Sequence, residues 1–262
     1  MPTVSVITAV YNCQRTIGGA IESVLEQDYD QVEYIVIDGM STDGTADVVS
    51  EYGDRISKVI REPDEGIYDA LNKGINSASG DVIGFLHADD LLASPKVLSR
   101  VASTFIEHDS DAVFGELLYV SEDDVDKVIR YWKEKPFNRK RFHFGWMPPH
   151  PTCYIRKSCY ERFGQFRTDM SIAADYELLL RLMLKEQISV RYLDEVIVRM
   201  RVGGKSNQSL SNRRLANRED ALAWELNGLK KPPFLRVMKP LRKVSQYFVK
   251  PEVLAPKTDV TK

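Results

Sequence analysis

Apolar residues in this chain fall in short blocks that alternate between uninterrupted runs and stripes at helical spacing. Val4 to Val10 is a continuous run of strand-forming residues, and Ile17, Ile21, Val24 and Leu25 then share one helical face. The theme repeats with a strand over Tyr34 to Ile37 that ends at Asp38, a turn-rich Gly-Met-Ser-Thr-Asp-Gly-Thr loop, and a helix over Ala46 to Tyr52. Lys58 to Ile60 predicts a third strand, Ile67, Leu71, Ile75 and Ala78 predict the apolar face of a third helix, and Ser79 to Leu86 predicts a fourth strand. Such alternation implies an α/β fold, with a mainly parallel sheet flanked by helices on both faces and ligands bound beyond the carboxyl ends of the strands. Asn12, Asp38 and Asp89 lie at three of those ends, so they are expected to meet in one crevice.

The second half is less regular. Ala112 to Val120 and Val128 to Trp132 flank an acidic turn and predict an antiparallel hairpin. Cys153 to Arg156 reads as a strand and Ser158 to Phe163 as a short helix. Leu178, Leu179, Leu182 and Met183 form a helical face that places Asp175 in the first turn, near the positive end of the helix dipole. One or two strands are expected in Val190 to Val202, followed by Gly203-Gly204-Lys205-Ser206, where paired glycines allow close backbone approach to a phosphate and Lys205 adds charge; a plain turn is the alternative. Beyond Ser211 a helix carries Leu215, Leu222 and Leu226, and the tail then interleaves Lys230, Lys231, Arg236, Lys239, Arg242, Lys243 and Lys250 with apolar residues.

Composition narrows the function. The chain has 262 residues, 43% of them hydrophobic, enough for one large domain or a domain with an appendage. A formal charge of −2 supplies no positive field for nucleic acid. Cys13, Cys153 and Cys159 make no even framework, which suits a reducing compartment, and His150 with Cys153 and Cys159 matches no common zinc spacing. The N-terminus runs straight into a strand and no apolar run is long enough to span a bilayer, so the expected address is the cytoplasm. No Gly-x-Gly-x-x-Gly follows the first strand, and no Gly-x-x-x-x-Gly-Lys-Ser/Thr phosphate loop occurs. What stands out is Asp89-Asp90 at the end of an apolar run, a repelling pair that is relieved by a cation or by an exposed turn capping the next helix.

Five segments, VSVITAVYN, IDGMSTDGT, EPDEGIYDALNKGINSASGD, FLHADD and IAADYELLLRL, occur in an order that resembles family 2 glycosyltransferases of the GT-A fold. The likeness runs from Val4 to Ser206 and is nearest to bacterial enzymes of exopolysaccharide, O-antigen and colanic-acid type. It implies a catalytic domain over 1–210, with a nucleotide-sugar-binding half at 1–92 and an acceptor-side half at 93–210, and a basic amphipathic helical tail at 211–262. It places Asp38 against the nucleotide base and ribose, Asp89 on a divalent cation (Mg²⁺ or Mn²⁺) at the diphosphate, and Asp90 beside the sugar or the metal. Asn12, Lys73 and Lys205 complete the donor side. The family pattern is Asp-x-Asp-Asp, and His87 occupies its first position, where a neutral imidazole brings hydrogen bonding without negative charge. Asp175 takes the place of the general base, with Glu177 as a rival. His150 is acceptor-side or structural, and Trp146, in the aromatic and basic stretch Lys133 to Pro149, belongs to an acceptor wall or lid unless that loop is ordinary packing.

The resemblance therefore implies inverting transfer of a sugar from a nucleotide-diphosphate donor, UDP-linked, to a lipid-linked saccharide at the inner face of the cytoplasmic membrane. The tail would rest on anionic lipid, or pack on its own domain or on a dimer partner. Competing readings are a GDP-sugar donor, transfer to a polyprenyl phosphate, and a catalytically silent nucleotide-sugar-binding scaffold.

Overall fold

A computed structural model of the chain describes residues 1–203 and 210–233, together with positions 235, 238 and 246. Lys205 and nearly all of the basic tail, including Lys239, Arg242, Lys243 and Lys250, lie outside the described residues. Among the described residues, nine strands form one sheet. Strands β1 (Val4–Val10), β2 (Val32–Asp38), β3 (Lys58–Arg61) and β4 (Val82–Phe85) make a parallel block in the order β3-β2-β1-β4. Helices α1 (Ile17–Leu25), α2 (Thr45–Glu51) and α3 (Ile67–Ser77) connect them.

The sheet then becomes mixed. It continues through β8 (Tyr154–Arg156), β6 (Ala112–Val120), β9 (Val190–Arg201) and the two-residue β5 (Leu91–Leu92), with β7 (Val128–Trp132) as the antiparallel partner of β6 in the expected hairpin. β8 runs antiparallel to both neighbours, whereas β6 and β9 are parallel. β9 is a single strand, and register shifts against β6 around Glu116 let it bend. Helices α4 (Val97–His108), α5 (Lys157–Phe163), α6 (Ala174–Leu179, continued by a π-helical turn over Leu180–Lys185) and α7 (Leu210–Leu226) complete the layers.

Each central strand feeds both faces, which is why its apolar run is unbroken. Ile7, Ile35 and Ile83 pack into one core with α3, α6 and α7, while Val6, Val36 and Val82 pack into the other with α1 and α4. β4 is shorter than the run from Ser79 to Leu86 suggests, because the Ser79 and Gly80 amides are drawn off to the Glu33 carboxylate at 2.7 and 3.3 Å.

The C-terminal helix departs most from expectation. Leu215, Leu222 and Leu226 are 37–40% exposed, and the buried face consists of Glu219, Asp220, Ala223, Trp224 and Asn227. The polar residues on that face have partners waiting: Trp224 donates its indole N–H to the Tyr176 hydroxyl at 2.9 Å and Asn227 donates to Glu177 at 3.0 Å. Trp224 belongs to the same core as the sheet, so α7 is built into the main body and the boundary at 210/211 does not detach it. No helix among the described residues is long and apolar enough to cross a membrane.

Candidate active site

The residues expected on the donor side lie at and around the ends of β1, β2 and β3. In the parallel register Val10 lies beside Asp38, and Asp38 beside Arg61. The buried Asp38 carboxylate accepts the Ser41 amide at 2.8 Å and pairs with Arg61 Nε at 3.0 Å, while Arg61 also donates to the Ser41 carbonyl. Asn12, in the left-handed region at φ 53°, uses its side-chain oxygen to accept the amides of Thr42 and Asp43 at 2.8 and 3.3 Å. Asn12 therefore shapes the 39–44 loop through its side-chain oxygen. Lys73 is also redirected. Its ammonium lies 3.2 Å from both Glu62 and Asp69 and donates to the Pro63 carbonyl, so the charge expected at a phosphate is met within the protein.

The chain leaves β4 at Leu86 and turns sharply, with the Asp90 amide donating to the His87 carbonyl at 3.0 Å. The two adjacent carboxylates then part. Asp90 is buried and accepts the Arg201 amide at 3.1 Å, while Arg201 donates from its guanidinium to the Asp89 carbonyl at 2.5 Å. Burial, reinforced by the neighbouring Asp89 charge, pushes the Asp90 carboxyl well above the usual carboxylate range. Asp90 thus locks the turn to the end of β9, where the family resemblance placed it beside sugar or metal. Asp89 is half-buried, and among the described residues no hydrogen bond or ion pair reaches its carboxylate.

The donor set at Asp89 fits one kind of cation. Among the described residues no cluster of three or more His, Cys, Asp or Glu side chains could hold a metal by itself. A single available carboxylate suits Mg²⁺ or Mn²⁺ that arrives with a diphosphate and takes its other ligands from phosphate and water.

His87 belongs to the same turn, its carbonyl accepting the Asp90 amide. It is half-buried, and its imidazole has no hydrogen-bond partner among the described residues. Burial lowers its pKa, while the Asp89 and Asp175 charges act in the opposite sense, so both carboxylates lie within electrostatic reach of one imidazole. Asp175 stands in the first turn of α6, half-buried, accepting the Tyr176 amide at 2.7 Å with the Tyr68 hydroxyl 3.5 Å away. Glu177 is no rival base. It is buried and committed to Arg181 at 2.9 Å and to Asn227, an arrangement that ties α6 to the 163–165 loop and to α7.

His150 and Trp146 are interior residues. His150 stacks on Phe85 with centroids 5.6 Å apart and meets Phe166 edge-on. Burial, with the His87 imidazole adding to it, pushes its pKa down to about 3. An unfolded histidine titrates near about 6.5, so below that pH the unfolded chain takes up a proton that the folded chain refuses. Stability is therefore expected to fall by about 1.4 kcal/mol per pH unit from 6.5 towards 3 through this residue alone. Denaturant titrations of wild type and His150→Gln at pH 7 and pH 5 check this, with a flatter response in the variant. Trp146 is buried in the core and donates its indole N–H to Glu134 at 2.9 Å, under the Arg141 guanidinium. The aromatic residues Phe142 and Trp146 of this loop are thus packed, while Lys140, His143 and Phe144 stay exposed.

Three residues of this site escaped the sequence reading: Arg61, Tyr68 and Arg201. Only Arg61 had a legible signal, as the last residue of a strand beside the one ending in Asp38. Tyr68 and Arg201 act across long sequence separations that no local pattern encodes.

Residues 5–163 match the sequence pattern described as Glycosyl transferase family 2. An uncharacterized glycosyltransferase of Mycobacterium tuberculosis is 33% identical over 193 residues, covering 72% of each chain. A PGL/p-HBAD biosynthesis glycosyltransferase of Mycobacterium bovis is 27% identical over 218 residues, covering 79% of this chain and 80% of that one. Among solved structures, S. aureus TarS in complex with UDP superposes with a TM-score of 0.68 at 20% identity, covering 93% of this chain and 72% of that one. The mannosyltransferase of Pyrobaculum calidifontis in complex with GDP-Man and Mn²⁺ gives 0.65 at 21% identity, over 90% and 68%. With the match over residues 5–163, these relatives and this mixed, mainly parallel sheet flanked by helices, the chain is a member of glycosyltransferase family 2 with the GT-A fold.

Proposed function

We propose that this protein transfers a sugar with inversion from a UDP-linked donor to a lipid-linked saccharide in the assembly of a bacterial surface polysaccharide. The reading is supported by the charges of Asp89 and Asp175, which come from separate halves of the chain and both act on the imidazole of His87. One carboxylate then serves the departing diphosphate and the other serves the incoming hydroxyl. Asp38, held by Arg61 and the Ser41 amide, lines the nucleoside end. Asp89 would hold the divalent cation, whose charge stabilises the leaving diphosphate.

Asp175 accepts the proton of the acceptor hydroxyl as its oxygen bonds to the anomeric carbon. The bond from that carbon to the phosphate oxygen breaks on the opposite face, and the electron pair leaves with the nucleoside diphosphate. Attack opposite the leaving group inverts the anomeric centre. His87, neutral in this setting, offers one N–H to a donor oxygen without adding charge. UDP is favoured as the nucleotide because TarS, of the same fold, was solved with UDP and with UDP-GlcNAc. The basic segment after α7 would bring the enzyme to anionic lipid, where a lipid-linked acceptor resides.

The test is a donor panel of UDP- and GDP-sugars with Mg²⁺, Mn²⁺ or EDTA, read as slow hydrolysis and as transfer to saccharide acceptors, soluble or anchored in anionic vesicles. Turnover of a UDP-sugar that EDTA abolishes, together with an activity about 10²–10³-fold lower in Asp89→Asn, is the expected result. Turnover of GDP-sugars alone would reverse the nucleotide assignment, and inertness across the panel would leave a silent binder. A preference for soluble acceptor, with the enzyme remaining off the vesicles, would remove the lipid-linked part.

A further inference from the structure

Helix α6 begins without a cap of its own. Its N-cap residue is Ala173, which has no side-chain acceptor for the amides at the helix start. The acceptor comes instead from α7. Glu219 is only 6% exposed, and its carboxylate takes three consecutive amides, those of Ser171 at 2.9 Å, Ile172 at 2.9 Å and Ala173 at 2.8 Å. A carboxylate at this end of α6 also faces the positive end of the helix dipole. From the other side, the Tyr68 hydroxyl of α3 donates to the Ile172 carbonyl at 2.7 Å. The segment is thus clamped between α3 and α7, and Asp175 follows two residues after it.

We infer that Glu219 is a positioning residue for glycosyl transfer: by holding the Ser171–Ala173 backbone it fixes the direction in which Asp175 meets the acceptor hydroxyl. This rests on the reading of Asp175 as the general base. Glu219 lies outside the 5–163 match and within the stretch that reads from sequence as a tail. Its burial fits a demand on α7 beyond covering the core, because a carboxylate is costly to bury unless its oxygens are fully used. Here they accept three charge-assisted hydrogen bonds. The helix itself is anchored separately, through Trp224 to Tyr176 and Asn227 to Glu177, so loss of the Glu219 carboxylate releases the loop without undocking α7.

Glu219→Gln keeps the size of the side chain but replaces one acceptor oxygen with an NH₂ group that points donors at donors. Misplacement of a reacting group by about 1 Å costs on the order of 10²-fold in rate. Glu219→Gln is therefore expected to lower kcat by about that factor, with donor KM and donor affinity unchanged and amide exchange at 171–173 accelerated. Glu219→Asp retains the charge with a shorter reach and should fall between the two. If Glu219→Gln fails to fold, Glu219→Asp carries the test, with reduced kcat at unchanged KM supporting the inference and wild-type kcat overturning it.

Asp175→Asn, run in the same assay, separates the two readings. Retained turnover there sinks the base assignment itself. An inactive Asp175→Asn beside a Glu219→Gln enzyme with wild-type kcat sinks only the positioning role. A Glu219→Gln enzyme that melts earlier but recovers full kcat at lower temperature would show that Glu219 serves stability alone, and this also overturns the inference.

Discussion

Replacing Asp175 with Asn is expected to lower kcat by about 10²–10⁴-fold while donor binding is retained, the range for removal of a positioned general base. The substitution leaves the side chain's shape and removes its ability to take a proton. The carboxylate oxygen that accepts the Tyr176 amide at 2.7 Å has an amide-oxygen equivalent in Asn, so α6 keeps its start. The donor wall at Asp38 and the turn at Asp89 belong to other elements, which is why affinity for UDP measured by calorimetry should stay near wild type. Single-turnover kinetics with saturating donor isolate the step. A variant with kcat within a few-fold of wild type would mean that proton removal is not assisted by Asp175, and loss of UDP binding in parallel would mean that the residue serves the donor instead.

Trp224→Ala is expected to destabilise the protein by about 3–5 kcal/mol, the cost of deleting a large buried aromatic side chain. Trp224 is fully buried in the main core, packs against His143, and supplies the hydrogen bond to the Tyr176 hydroxyl. The substitution would leave a cavity and would strip that hydroxyl of its donor in the same step. For a chain of this size the melting temperature should fall by roughly 10 °C. Urea denaturation followed by Trp fluorescence and by circular dichroism measures it. Were α7 an appendage, the change would be near zero and removal of the helix would leave the melting curve unmoved.

These two residues also show how far local pattern reaches. Asp175 was visible as the first-turn acid of a helix with a clear apolar stripe, and Asp38 as the polar stop to a buried run. The parallel block was legible because its strands are apolar on both faces, and the intervening helices carry unambiguous stripes. Trp224 was not legible. The leucine stripe at 215, 222 and 226 signals a buried face by period alone, yet the adjoining face is the buried one because Tyr176, Glu177 and the amides at 171–173 offer hydrogen bonds there. Trp146 and Lys73 failed for the same reason. An indole and an ammonium look like ligand-facing groups until Glu134, or Glu62 and Asp69, are found beside them.

Hydropathy order along the chain was enough to establish the α/β layering, the order of five short motifs pointed to the family, and the ends of apolar runs singled out Asp38 and Asp89 as candidates, because each of these rests on neighbours within a few residues. Tertiary structure alone separated Asp89 from Asp90, removed Glu177 from contention and brought α7 under the loop that carries Asp175. Those outcomes depend on which donor meets which acceptor across distant segments, as Arg201 does for Asp90 and Glu219 for Ser171–Ala173. Burial makes such pairings decisive, since a polar group removed from water must find its partner wherever the fold places it.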